Sequence, residues 1–352
     1  MHVPDGFINA PVSAVAGVVA AGAVAVGLRG ARRELDERTA PLAGLVAAFI
    51  FAVQMLNFPV AAGTSGHLLG GALAAILVGP YTGLLCIAVV LLMQGILFAD
   101  GGLTALGVNI TVMGVVTTVV AYALFRGLTR VLPRTRRSTT VAAFVAALVS
   151  VPAAAVVFTL IYAIGGTTDV PIGKVFTAMV GVHVLIGIGE AVITALTVGA
   201  VIAVRPDLVH GARGLAAPLK LRVDGDLIDA PAAPAAPAPA AARSTRKVWV
   251  TGLVAALLLA GFVSFYASAS PDGLEKVAAD KGIDEKVEEH GAADSPLADY
   301  GVKDIGNARV SGGLAGVIGV GVTIAVGSGV FWAVRRSRTP GTSENRTPTE
   351  SV

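Results

Sequence analysis

Apolar residues run continuously along this chain instead of alternating with polar ones. Nine runs stand out, at about 9–28, 39–57, 67–79, 81–99, 104–126, 139–165, 174–204, 248–268 and 312–334. A bilayer core of about 30 Å takes about 20 mostly apolar residues as helix, so the runs predict nine membrane spans. The third is short, bounded by Gly63-Thr64-Ser65-Gly66 and Gly79-Pro80. It predicts a short or partly re-entrant helix whose ends are buried by protein.

The polar stretches between the runs orient them. Arg29, Arg32, Arg33 and Arg38 follow the first run, and Arg126, Arg130, Arg134, Arg136 and Arg137 follow the fifth. Arg205, Arg213, Lys220, Arg222, Arg243, Arg246 and Lys247 follow the seventh, and Arg335, Arg336 and Arg338 follow the ninth. The stretches near 57–66, 100–103 and 166–173 carry almost no Lys or Arg. With nine spans every basic loop falls on one side, so the N-terminus is expected outside and the C-terminus inside. No basic segment or small-residue cleavage site marks a removable leader, so the mature chain is expected to start at Met1.

The predicted fold is an all-α membrane protein, a seven-helix bundle plus a C-terminal two-helix hairpin. Its parts are a bundle over 1–205, a cytoplasmic Ala/Pro-rich linker over 206–246 with Pro231, Pro234, Pro237 and Pro239, a hairpin over 247–336 around an outside loop at 269–311, and a tail over 337–352. The linker composition favours a semi-rigid, partly polyproline II spacer.

Composition sharpens this picture. Of 352 residues 55% are hydrophobic and 14% charged, against about 25% charged in a soluble globular protein. That composition argues against an ordinary soluble enzyme, and a net charge of +3 gives no case for nucleic acid. The single Cys86 can form no internal disulfide and is expected to be buried. No phosphate-binding G-x-x-x-x-G-K-[ST], no H-E-x-x-H and no C-x-x-C is present. The few ionisable residues at membrane depth are His67, Asp100, His183 and Glu190, and such groups tend to be functional.

Met1-His2 sets an amine, a backbone amide and an imidazole in sequence. They can close small chelate rings on one metal ion, and His67, expected on the same face, can add a fourth nitrogen. Four nitrogens in a planar or tetragonal array suit Ni(II) or Cu(II), whereas Zn(II) prefers a tetrahedron. Asp5, after Pro4, suits a turn or a group that orients a ligand. His183 and Glu190 lie two helical turns apart on one face, fitting either interhelical hydrogen bonding or support of a metal site. The ten acids of the 269–311 loop, Asp272 to Asp304, read as a solvated face with pairs such as Glu285/Glu289, against five bases. Collection of metal by this loop, His290 included, is the sharper alternative.

The opening Met1-His2-Val3-Pro4-Asp5-Gly6-Phe7 resembles the start of the CbiM/NikM family. The same family pattern appears in Gln54 to Val60, Gly63 to Gly71, Gln94 to Gly102, Leu106 to Asn109 and Gly181-Val182-His183. The resemblance covers about residues 1–204. Ser270 to Ala278 resembles the PDGLE, or NikN-like, domain. The resemblance implies a substrate-binding component of a cobalt/nickel energy-coupling factor transporter, multi-pass in the cell membrane and not itself an enzyme. It implies no permanent cofactor, Ni2+ or Co2+ as transported substrate, and separate partners, a transmembrane coupling protein and cytoplasmic ATPases. It implies metal ligation by Met1, His2 through its amide and imidazole, and His67, with Asp5, Ser65, Asn109, His183 and Glu190 as supporting candidates. Pro4-Asp5 stands where cobalt members often carry Met-Glu, which with the PDGLE extension favours nickel. Small residues at helical spacing, Ala16/Ala20 and Ala21/Ala25, suit packing against a partner or within the bundle.

Two other classes fit parts of the sequence. Gly63-Thr64-Ser65-Gly66 contains the serine motif of rhomboid-type intramembrane proteases, with His183 as candidate base. A self-sufficient secondary transporter would need an inverted repeat or an intramembrane carboxylate network, and neither is visible.

Overall fold

The computed structural model describes residues 1–36, 39–61, 63–215, 220–223, 226–229 and 245–337. Each of the nine predicted runs lies on a helix. They are α1 (Ala10–Glu34), α2 (Thr39–Gln54), α3 (Gly71–Val78), α4 (Pro80–Leu97), α5 (Leu106–Asn109) continued through a π-helical stretch, Ile110–Val116, into α6 (Thr117–Val131), α7 (Arg136–Gly165), α8 (Ile172–Val204), α9 (Arg246–Gly261) and, last, α11 (Ala308–Arg336). A short helix, α10 (Gly273–Lys281), lies between α9 and α11. Seven of these segments are long and apolar enough to cross a membrane. Helix α2 has 16 residues and α3 only 8.

Helix starts follow the capping residues. Asn9 accepts from Val12 N at α1, Thr135 from Ser138 N at α7, and Asn307 from Arg309 N and Val310 N at α11. Each satisfies a first-turn amide that lacks an intrahelical partner. Arg32 and Arg33 close α1, where cations favour the negative end of the helix dipole.

The short third run is only partly helical. A hairpin of β1 (Phe58–Ala61) and β2 (Thr64–Gly66) leads into a non-helical stretch, 67–70, and then into α3. Eight helical residues span only about 12 Å, less than a bilayer core of about 30 Å. The 67–70 backbone is paired from the side: Leu69 N and Gly70 N donate to Glu190 at 2.6 and 3.2 Å, and Gln54 Nε2 donates to Leu69 O at 3.0 Å. Buried non-helical backbone requires such pairing. The Glu190 carboxylate also sits at the N-terminus of α3, where the helix dipole favours an anion.

Contacts define two ends. Glu34, closing α1, accepts from Thr82 N at 2.7 Å at the start of α4, so α3 returns the chain to that end. The basic stretches of the described residues gather there. At the opposite end lie the N-terminal segment, the β1–β2 hairpin, 98–104, the α7–α8 turn and 268–307. Asn9 N donates to Gly165 O at 2.7 Å, and Thr167 Oγ1 donates to Gly6 O at 2.7 Å. Residues 206–215 form 3-10 turns packed on the bundle, with Val209 and Ala212 buried, so the predicted linker starts later than residue 206. Lys220–Val223 and Asp226–Asp229 pair as an antiparallel hairpin. The proline-rich stretch 230–244 and the tail from 338 lie outside the described residues.

The C-terminal hairpin docks on the bundle through glycines. Gly44 of α2 meets Ser328 of α11, and Gly319 packs on Phe51 and Phe98. Ala16 and Ala20 are buried in the bundle, with Gly107 against Gly17, while Ala21 is exposed. Cys86 is buried, as expected.

Candidate metal centre

The non-helical stretch before α3 places His67 at the end of the bundle that holds the N-terminus. Met1 N lies 2.7 Å from His67 Nε2, and both residues are buried. His67 Nδ1 lies 3.0 Å from Leu68 O. A carbonyl only accepts, so Nδ1 is the donor in that contact, which leaves Nε2 as the nitrogen directed at the amine. The rings of His2 and His67 stack with centroids 5.1 Å apart. Ligand atoms of His2, His67 and Asp272 all lie within 4.8 Å of one another.

The segment before α1 is bound at several points. Asn109 Oδ1 accepts from Val3 N at 2.7 Å, and its Nδ2 donates to Val3 O at 3.1 Å. The Asp5 carboxylate accepts from Leu103 N and Thr104 N, and Gly102 N donates to Val3 O. A Cβ on Gly102 would strike Asp5, so this close approach needs glycine. Asn109→Ala leaves the buried Val3 amide unpaired, at a cost of about 1–3 kcal/mol. We expect a lower Tm and weaker metal binding from that variant, checked by thermal scan and titration.

The His2 ring is contacted on both of its nitrogens. Its Nδ1 lies 3.2 Å from Asp100 Oδ1 and its Nε2 3.2 Å from Gln94 Oε1. A neutral imidazole donates through one nitrogen only, so a neutral His2 ring donates to one of these two acceptors and not to both. Burial lowers the His2 pKa to about 4, with Asp100 opposing the shift. The folded chain therefore binds fewer protons at His2 than the unfolded chain, whose reference value is 6.5. Stability should fall as pH drops from about 6.5 toward about 4, which a Tm series over that range would check.

The supporting candidates divide. Asp5 and Asn109 hold the N-terminal segment, and Glu190 holds the backbone that follows His67. Ser65 instead donates to Ser270 O at 2.7 Å, joining the β1–β2 hairpin to the C-terminal domain. His183 Nδ1 lies 2.7 Å from Met179 O, and its buried Nε2 has no hydrogen-bond partner among the described residues. No hydrogen bond joins Ser65 to His183 among the described residues, and Ser65 Oγ is already directed at a carbonyl, which removes the geometric basis for a serine protease.

Asp272 is the residue that sequence reading placed on a solvated face. Its side chain is 9% exposed, and Oδ2 lies 2.6 Å from the Met1 ammonium and 3.5 Å from His67 Nε2. Burial opposes its ionisation, but the Met1 ammonium and His67 together hold it well below the usual carboxylate range. Its Oδ1 caps α10, accepting from Leu274 N at 2.7 Å and Glu275 N at 2.9 Å, while Glu275 completes the capping box. The signal available in the sequence was D-x-x-E at 272–275, a helix start. The other loop acids at 284–289 are exposed, and Glu285 and Glu289 share no helix, because 287–290 is irregular.

The same C-terminal segment covers the site. Ser65 N donates to Pro271 O, Glu288 N to Asp5 O, and Asp299 N to Phe98 O. His290 Nε2 lies 3.1 Å from Gly101 O, so it touches the site loop without joining the ligand cluster. Tyr300 donates to Asp100 Oδ2 at 2.6 Å and accepts from Gln94 Nε2 at 2.9 Å. Gly6, at φ +87°, packs on the Lys286 carbonyl. Gly6→Ala would strain a left-handed backbone and strike that carbonyl. We expect this variant to lower the Tm and loosen the cover, which hydrogen exchange over 284–290 would detect.

Comparison with known proteins places these features. Residues 2–208 match the model of the CbiM family, described as the cobalt uptake substrate-specific transmembrane region, and residues 246–336 match the PDGLE domain. A protein of Haloquadratum walsbyi named for metal transport is 39% identical over 209 residues, which is 59% of this chain and 93% of that one. A protein of Archaeoglobus fulgidus named as a fused nickel transport protein, NikMN, is 40% identical over 212 residues, or 60% of this chain and 68% of the other. The crystal structure of a transition metal transporter superposes with a TM-score of 0.51 at 28% identity, over 58% of this chain and 93% of that one. A buried N-terminal nitrogen cluster on a bundle matched from residue 2 to residue 208 thus sits in a multi-pass membrane protein of known kind, and the chain belongs to the CbiM family, with a PDGLE domain on its C-terminal side.

Proposed function

We propose that the chain is the substrate-specific membrane component of an ATP-driven energy-coupling factor importer for nickel or cobalt ions, with nickel favoured. The observation that carries this reading is the convergence of the Met1 amine, His2 and His67 in one buried cluster. The ion is held near the outer face by the Met1 amine, the His2 amide nitrogen, His2 Nδ1 and His67 Nε2. The gathering of basic stretches at the opposite end supports an outward-facing site. His2 Nδ1 then exchanges Asp100 for the ion. The fused PDGLE domain supports nickel, since the fused Archaeoglobus relative is named for it.

Hydrolysis of ATP belongs to separate cytoplasmic partners, joined through a transmembrane coupling protein. Cells expressing this chain with such partners should accumulate nickel, stop on ATP depletion, and continue when an uncoupler collapses the proton gradient. Uptake by this chain alone, abolished by the uncoupler and indifferent to ATP, would instead mark a secondary transporter.

Ligand nitrogens must lose their protons to bind metal. Binding therefore releases about one proton from the amine, and about two if the His2 amide ionises. Calorimetric heats measured in buffers of different ionisation enthalpy give that count. Protonation of the His2 ring competes with the ion, and because burial lowers its pKa to about 4, that competition is expected at lower pH than for an exposed histidine.

A further inference from the structure

We propose that Asp272, in the C-terminal domain, is itself a donor to the bound metal ion, so that the PDGLE segment supplies one corner of the coordination sphere. This inference rests on the N-terminal site proposed above. The two oxygens of Asp272 have separate tasks. Oδ1 is committed to the first turn of α10, where it accepts from Leu274 N and Glu275 N. Oδ2 is directed at the cluster, 2.6 Å from Met1 N and 3.5 Å from His67 Nε2. An ion that bonds both of those nitrogens from the side facing Asp272 lies within reach of this oxygen. The carboxylate cannot swing aside without giving up its helix cap.

Charge balance leads to the same assignment. With the amine protonated, Asp272 and the ammonium form a neutral buried pair. A divalent ion that displaces the ammonium proton and the His2 amide proton carries one net positive charge among its nitrogen donors. The Asp272 carboxylate cancels it. Leaving an unbalanced charge in a buried site is costly, so the same residue neutralises the site in both conditions. A fifth, oxygen donor on a nitrogen plane also suits the tetragonal preferences of these ions.

The test uses the full-length protein with its native start and a C-terminal tag. Asp272→Asn keeps the helix cap, because Asn caps as well as Asp, but replaces the charged Oδ2. Glu275→Gln alters the same capping box without touching the cluster and controls for damage to α10. Nickel affinity should drop at least about tenfold in Asp272→Asn and stay at the parent value in Glu275→Gln. At the nickel X-ray edge, the pre-edge peak typical of planar four-coordinate Ni(II) should be weak in the parent and strong in Asp272→Asn. A parent that binds nickel while Asp272→Asn binds equally well or better, with the same edge spectrum, overturns the inference alone. Equal weakening by Glu275→Gln also overturns it, since the effect would then come from the helix. A parent that binds no nickel overturns the proposed function, and this inference with it.

Discussion

Substitution of His67 by alanine is expected to abolish tight nickel binding, with affinity falling by at least about a hundredfold, while leaving the helices in place. His67 is the one donor carried by the bundle itself and not by the N-terminal segment, and its Nε2 faces the amine at 2.7 Å. Removing it takes away a direct ligand, which costs more than the 10–100-fold typical of a residue that only orients one. Ser65→Ala, two residues away, is the informative contrast. Ser65 bonds the Ser270 carbonyl, so its loss removes one hydrogen bond to the cover, about 0.5–1.5 kcal/mol, and no donor. Nickel titrations of the two variants should differ by at least about tenfold. Equal loss would show that the cover, and not His67, governs binding.

The second large effect is expected at Glu190. Its carboxylate is buried and accepts from both Leu69 N and Gly70 N. Glu190→Ala leaves two amides without partners inside the bundle, at about 1–3 kcal/mol each. That sum is a large fraction of a typical folding free energy. The damage falls on the stretch that carries His67, so Tm and nickel affinity should drop together. Glu190→Gln keeps one acceptor oxygen and should fall between the parent and Glu190→Ala. A Glu190→Ala protein with parental Tm and affinity would mean that the 67–70 backbone is held by other contacts.

Much of this was legible in the sequence, and the exceptions share one cause. Most of the nine apolar runs became long helices because length and apolar content are local properties, while the short third run gave only eight helical residues. His2 and His67 were legible because polar groups are scarce in this chain and one of them stands at the N-terminus. Asp272 was not, because its environment depends on how a distant hairpin docks. In sequence it is one of ten acids in a loop, and its local pattern signals only a helix start. Glu190 was visible as a polar group on a helix face, but its partners are backbone amides of a stretch predicted to be helical or re-entrant. Ser65 drew attention through a short motif, yet its partner is a carbonyl of the cover. The reading of 206–246 as linker came from proline content, although the prolines begin at 231 beyond the packed turns. In each case local chemistry was readable and the long-range partner was not.

The claim at the centre of this account is that the N-terminal amine holds the ion. The most direct measurement is a calorimetric nickel titration of two proteins, one with the native start and one with two extra residues before Met1. The extension removes the amine from its place beside His67 and Asp272 while leaving every side chain present. The account predicts tight binding by the native protein and loss of at least about a hundredfold in affinity on extension, since a direct ligand is removed. Equal affinity in the two proteins would contradict it, because Met1 would then take no part in the site.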